Sequence, residues 1–286
     1  MKYGDFDGSA EELICSRLQE IEEKEQVKIL YAVESGSRAW GFASPDSDYD
    51  VRFIYVRPVK HYLQLQESRD FIEWELNETL DINGWDLAKA LRCFHKSNAT
   101  LFEWANSPIV YRDTPAWGRI WRAAQPYFSC KAALYHYYGT ARKNYETCLR
   151  GELVKYKKYF YVLRPVLACK WIEQRACPPP VLFEELAEAV LDMEMRPAVD
   201  NLLEIKQQMT EAGQGQPVSV LHDYLEAQIR HFKATAERMH DDRNSDWIAL
   251  NRVFMEILGS DTDEPIACNH ERLPERDRIT PFPKFS

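Results

Sequence analysis

The stretch from Val27 to Val56, VKILYAVESGSRAWGFASPDSDYDVRFIYV, constrains this chain more than any other. An apolar run, Ile29 to Val33, ends in Glu34-Ser35. Gly36-Ser37 follows, then ten residues, then Asp48-Tyr49-Asp50, which leads without a break into a second apolar run, Val51 to Val56. Runs of this length, rich in Val, Ile, Tyr and Phe, predict strands. Ser37 to Phe42 predicts a short helix between them, stopped near Ser44-Pro45. An ordinary turn with loop aspartates accounts poorly for Asp50, which interrupts a β-rich run.

The layout carries chemistry. A Gly-Ser turn between a strand and a helix presents backbone N–H groups at the positive end of the helix dipole, an arrangement that suits a phosphate. Gly36 lets the backbone come close, and Ser37 and Arg38 add donors. Asp48 and Asp50 lie two apart on a strand, so both carboxylates point to one face. Two carboxylates beside a phosphate cradle form a hard-oxygen site for Mg²⁺, or for Mn²⁺ in its place. Two such ions would clamp the attacking and leaving oxygens of a phosphoryl displacement. A Ser-His-Asp nucleophile is excluded at Ser37, since G-x-S-x-G is absent.

With 286 residues the chain has room for one large domain or two. No apolar stretch approaches the ~18 residues of a membrane span, and MKYGDFDGSAEELI lacks an apolar signal region, so the expectation is a cytoplasmic protein. The seven cysteines are scattered without a C-x-x-C pair, which argues against disulfides and a zinc site; Cys268-Asn269-His270 is too small a group to hold a metal. Net charge is −9, yet Lys131 to Arg175 holds ten Lys or Arg against three Glu. A positive patch on an acidic body is implied. Within it Lys157, Tyr161 and Arg164 share one helical face, read as a second wall for the triphosphate and base. The alternative reading is a solvated basic face with core aromatics.

Read in order, Ser9 and Glu12 form a capping box ahead of a helix from Ala10 to Glu25. Pro58 to Leu65 is a short helix or connection. Asp70 to Leu76 and Thr79 to Trp85 alternate and make a hairpin around Asn77-Glu78. Asp86 opens a helix ending near Ser97-Asn98, a short helical piece follows at Leu101 to Trp104, and Pro108 to Tyr111 is an edge strand. Thr114-Pro115 starts another helix. From Cys130 onward strand signals disappear. Helices are expected over Lys131 to Arg150, over Glu152 to Arg175 with a kink at Pro165, over Phe183 to Ala212 with a break near Arg196-Pro197, over Val218 to His240 and over Trp247 to Leu258. The tail after Gly259 reads as irregular. The expected fold class is α+β: an α/β core with a small mixed sheet over residues 1–128, then an all-helical domain over 129–286.

Gly36, Ser37, Asp48 and Asp50 resemble, in order and type, the signature of the nucleotidyltransferase superfamily that includes DNA polymerase β: G-S, a short interval, then D-x-D on the next strand. More closely, ESGSRAWGFASPDSDYDVRFIYV, LDINGWDLAKAL, KSNATLFEW and YKKYFYVLRPVLACKWI resemble the RlaP-like predicted nucleotidyltransferases associated with RNA ligases. The resemblance implies a metal-dependent enzyme that moves an NMP from an NTP, with ATP first in line, to an acceptor hydroxyl. It implies an RNA end as acceptor, while other relatives in the superfamily modify antibiotics or proteins. A nucleotide- or RNA-binding module without turnover is the rival. The superfamily's third acid stands on a neighbouring strand, for which Glu73, Glu75, Asp81 and Asp86 are candidates. Asp86 is placed to cap the helix that starts at Leu87, and Glu73 and Glu75 fit an edge strand. Asp81, inside the apolar Leu80-Asp81-Ile82, has no such local reason and is taken as the third carboxylate, a ligand of the catalytic-side metal ion that also meets the acceptor hydroxyl.

Overall fold

The structure, a computed structural model, describes residues 9–44, 47–66, 68–76, 79–208 and 213–259. The expectations for Pro45, the Asn77-Glu78 turn, the side chain of Glu75, Cys268, His270 and the tail lie outside those residues.

Helix α1 spans Ala10–Glu25, as the capping box predicts: the Ser9 N–H donates to Glu12 at 2.8 Å and the Glu12 N–H donates back to Ser9 Oγ at 3.3 Å. Its Ile14, Leu18 and Ile21 are fully buried, each worth about 1.5–3 kcal/mol relative to exposure. Strand β1 (Lys28–Glu34), helix α2 (Gly36–Ala39) and strand β2 (Tyr49–Val56) follow. Helix α3 (Val59–Tyr62) leads to the hairpin of β3 (Phe71–Leu76) and β4 (Leu80–Asp86); then come α4 (Leu87–His95), α5 (Ala99–Ala105), β5 (Val110–Asp113) and α6 (Pro115–Ala124).

Among the described residues five strands form one mixed sheet, ordered β3-β4-β2-β1-β5. All neighbours are antiparallel except β2 and β4, which run parallel with Asp50 opposite Asp81. Alternation along the strands divides the core. One face packs Ile29, Val51, Phe53 and Ile82 under α1. The other packs Leu30, Tyr31, Ile54 and Val56 under α4, α5 and α6.

The second half is built on α7 (Cys130–Cys148) and α8 (Lys157–Arg175), joined by α9 (Phe183–Val190), α10 (Arg196–Gln208) and α11 (Ser219–Arg238) around a third core. Helix α8 runs through Pro165. The ring removes the N–H that would bond the Tyr161 carbonyl, and Asn144 Nδ2 of α7 donates to that oxygen instead at 3.0 Å. The break expected near Arg196-Pro197 comes earlier: α9 stops at Val190, a 3₁₀ turn covers Met193–Met195, and Pro197 sits in the first turn of α10, where its missing N–H costs nothing.

Two features depart from the sequence expectation. A short antiparallel ladder, β6 (Val154–Lys155) with β7 (Gln214–Gly215), lies where strand signals were absent. Helix α12 (Ile248–Gly259) does not stay with the helical half; its Leu250, Val253 and Ile257 are buried in the sheet's second core, beside α6 and α4. No described helix is long and apolar enough to cross a membrane.

Candidate active site

The site forms where β1 ends and β2 and β4 begin. Glu34, the last residue of β1, is almost fully buried, yet its carboxylate is satisfied: the Asp50 N–H donates to it at 2.7 Å and Tyr111 Oη at 2.5 Å. Burial pushes the Glu34 carboxyl above the usual carboxylate range, against the pull of the Tyr111 and Asp50 bonds. Its backbone carbonyl accepts from Ser107 Oγ at 2.6 Å. The Ser35 N–H then donates to the Asp50 carbonyl at 2.8 Å, so the turn starts pinned to the first carboxylate-bearing residue of β2.

Gly36 follows with φ +62°, and a Cβ there would stand 2.1 Å from Asp50 Oδ2. Only glycine brings the turn this close to that carboxylate. Helix α2 is a single turn, and the N–H groups of Gly36, Ser37 and Arg38 at its start have no intrahelical partner. Ser37 is half-exposed. Arg38 is placed on the loop into β2: its Nη2 donates to the Ser47 carbonyl at 2.6 Å, its Nε to the Asp48 carbonyl at 3.1 Å, and its guanidinium lies 3.7 Å from the Tyr49 ring centre. It shapes the approach to Asp48, with only two of its five donors engaged there.

Asp48 immediately precedes β2 and is exposed; Asp50 is the second residue of the strand. The parallel register sets Asp81 of β4 directly beside Asp50 on the same face. Arg52, two residues beyond Asp50 on that face, closes the gap. Its Nη2 donates to Asp50 Oδ1 at 3.1 Å and to Asp81 Oδ2 at 2.6 Å, so the two carboxylates converge on one nitrogen atom. Burial holds the Asp50 carboxyl above its usual range; Arg52 opposes this, and the charges of Asp81 and Asp48 add to it. Asp86 stands at the far end of β4 and has a structural duty: its Oδ1 accepts from the Ala88 N–H at 2.8 Å, capping α4, and its Oδ2 accepts from Tyr62 Oη at 2.8 Å.

This strand–Gly-Ser–helix–strand unit, with Asp48, Asp50 and Asp81 at its mouth, invites comparison with known proteins. A family model described as RlaP, the RNA repair pathway DNA polymerase beta family, matches residues 10–256. The chain belongs to this family. It is 42% identical over 247 residues to the uncharacterized protein YcgL of Bacillus subtilis (strain 168), covering 86% of this chain and 95% of that one. Among solved structures it is matched to a nucleotidyltransferase-like protein from Exiguobacterium sibiricum 255-15, with 10% identity, TM-score 0.27, and coverage of 87% of this chain and 79% of that one. Membership of the RlaP family places the chain, at the coarse level, among nucleotidyltransferase-like transferases.

The basic stretch of this RlaP member sits differently from its sequence reading. Arg164 does not face a cleft. It is 2% exposed; its Nε donates to the Val181 carbonyl at 3.1 Å and its Nη1 to Glu103 Oε1 at 2.7 Å. Tyr137 Oη donates to the same Glu103 oxygen at 2.8 Å, and the guanidinium lies 4.7 Å from the Trp40 ring centre. Tyr161, on the same helical face, packs edge-on against Trp40 at 5.7 Å. That face is the seam joining α8 to α2 and α5, which is why its aromatics and cation alternate. Lys157, at the start of α8, is half-exposed. Sequence pattern alone assigns no role to Glu103 or to Arg52. The alternation of Asp50 and Arg52 on β2 was the available signal for the latter, since pleating puts both on one side; Asp48, expected on the same strand, stands just before it.

The donor chemistry of Asp48, Asp50 and Asp81 is all carboxylate oxygen and suits a hard divalent cation. Asp48 and Asp50 are open to one. Among the described residues, however, no three acidic, imidazole or thiol groups gather tightly enough to enclose an ion, and Arg52 already bridges Asp50 to Asp81.

Proposed function

We propose that the protein transfers a nucleoside monophosphate from an NTP, ATP first, to an acceptor hydroxyl. The observation that supports this best is the contact of Gly36 with the Asp50 carboxylate, in register with Asp81 on the parallel neighbour. It brings a phosphate-holding turn and two carboxylates to one point. The N–H groups opening α2 and the Ser37 hydroxyl hold the β- and γ-phosphates. Mg²⁺ or Mn²⁺ on Asp48 and Asp50 supplies charge neutralisation for the triphosphate when bound. Asp81 orients the acceptor hydroxyl and takes its proton. The acceptor oxygen bonds to the α-phosphorus, the bond to the β-phosphate oxygen breaks, and pyrophosphate leaves. Catalysis of this kind is mostly positioning and electrostatics.

The family's description names RNA repair, which favours an RNA end as acceptor. Exposed Arg142, Lys143, Arg150 and Lys155 on the helical half supply a basic surface of the kind that binds a phosphate backbone. Incubation with α-labelled NTPs, Mg²⁺ or Mn²⁺ and pooled RNA tests the reading. Label on RNA supports it. Label on protein or a small molecule moves the acceptor assignment, and tight NTP binding without transfer to anything defeats turnover.

Two variants separate the roles. Ser37→Ala is expected to raise the apparent KM for NTP by about ten- to a hundredfold, since a hydrogen bond to a charged group is worth about 1.5–3 kcal/mol. Unchanged KM would leave Ser37 only a turn former. Asp81→Asn is expected to slow transfer by about 10²–10⁴-fold, the usual worth of a positioned base, while NTP binding measured by calorimetry changes little. Equal losses in binding and rate would move Asp81 into the nucleotide site.

A further inference from the structure

Arg52 has no part in the phosphate cradle, yet it stands at the centre of the carboxylate group. We propose that its guanidinium is a resident cation on the acceptor side, so that the site takes one divalent ion, on Asp48 and Asp50 with the NTP, instead of two. The inference rests on the nucleotide-transfer reading above and specifies how that site is charged.

Four bonds hold the group. Nη1 donates to the Val51 carbonyl at 3.0 Å and to the Asp81 carbonyl at 3.1 Å, while Nη2 spans Asp50 Oδ1 and Asp81 Oδ2. The side chain is only 18% exposed. A guanidinium is planar and permanently charged, with donors in a fixed fork. This one uses one edge on backbone and the other on carboxylate, so it is built into the sheet and does not swing freely above it. The backbone ladder between β2 and β4 sets Asp50 and Asp81 opposite one another, and Arg52 occupies the place between their carboxylates that a shared ion would take. An ion placed there would have to expel Arg52, strip two carbonyls of their donor and leave a positive group next to a divalent charge.

What Arg52 supplies differs from what an ion supplies. It neutralises one of the two facing carboxylates and keeps Asp81 oriented, but it offers no open coordination position to the acceptor oxygen. The acceptor hydroxyl is then handed to Asp81 directly, and the one divalent ion belongs to the nucleotide side.

Counting bound Mn²⁺ tests this without any turnover. The full chain is equilibrated by dialysis with Mn²⁺ and α,β-methylene-ATP, and bound Mn²⁺ is read by electron paramagnetic resonance. One Mn²⁺ per chain is expected in the unaltered protein and two in Arg52→Gln, with folding of the variant checked by circular dichroism. Two ions in the unaltered protein overturn the proposal whatever the variant does. One ion in both proteins overturns the role of Arg52. No Mn²⁺ bound with nucleotide in either protein defeats the nucleotide-transfer reading itself, and this inference with it.

Discussion

Asp50→Asn is expected to reduce nucleotide transfer by about three orders of magnitude, the scale on which a pre-set electrostatic group acts in a transition state, while leaving the fold intact. Asp48→Asn should behave alike. Asp50 is the residue on which the site converges: its carboxylate meets Gly36, shares Arg52 with Asp81 and carries the charge nearest the phosphate turn. Stability has its own sign. Burial, with the charges of Asp81 and Asp48, raises the Asp50 carboxyl above its unfolded value despite Arg52. A carboxyl raised in this way binds its proton more tightly when folded, so it favours the fold at low pH and costs stability once ionised. Without metal, the asparagine protein should therefore melt at the same temperature as the parent or higher at pH 7, and that advantage should shrink as the pH falls through the carboxylate range. Unchanged transfer would remove Asp50 from the chemistry. A large fall in melting temperature would make it a structural residue.

The second large effect is on stability. Glu103→Ala or Arg164→Ala is expected to cost about 3–5 kcal/mol in chemical denaturation, because each leaves one charge buried alone. Arg164 would lose the Glu103 partner at 2.7 Å, or Glu103 would keep only Tyr137. Replacing both with apolar residues of similar volume should cost much less than either single change. Charge reversal at Arg164 should unfold the protein and so cannot probe substrate binding; reversal at Lys157 alone can. Single-variant losses under 1 kcal/mol, the worth of an exposed ion pair, would mean that the pair stays hydrated in solution.

The two kinds of prediction mark what the sequence made legible. Local signals carried far. The capping box set the start of α1 at Ala10, and the apolar runs around Gly-Ser and D-x-D set β1 and β2. Asp81 and Asp86 could be separated because one had a capping reason to be polar and the other had none; the structure puts Asp86 on the α4 cap and Asp81 beside Asp50. What stayed hidden depends on which elements meet. The spacing of Lys157, Tyr161 and Arg164 correctly reports a shared face, but periodicity does not say whether that face meets solvent, substrate or another helix. Glu103 and Arg164 lie far apart in the chain, and their pairing exists only once α5 and α8 are packed. The β6–β7 ladder is two residues long on each side, too short for any alternation to register. Arg38 looked like a phosphate donor by position, yet it also faces two loop carbonyls, which sequence spacing does not reveal.

The return of α12 to the sheet bears on how the chain is made. During synthesis the strands and α4 to α6 emerge early, but the Leu250, Val253 and Ile257 side chains that complete their second core come from a segment translated after the whole helical half. The first half therefore waits on the ribosome with part of its apolar surface wet. The helices in between must form without closing over the place that α12 will take. The last helix acts as the closing staple of a structure whose candidate site was laid down in its first ninety residues.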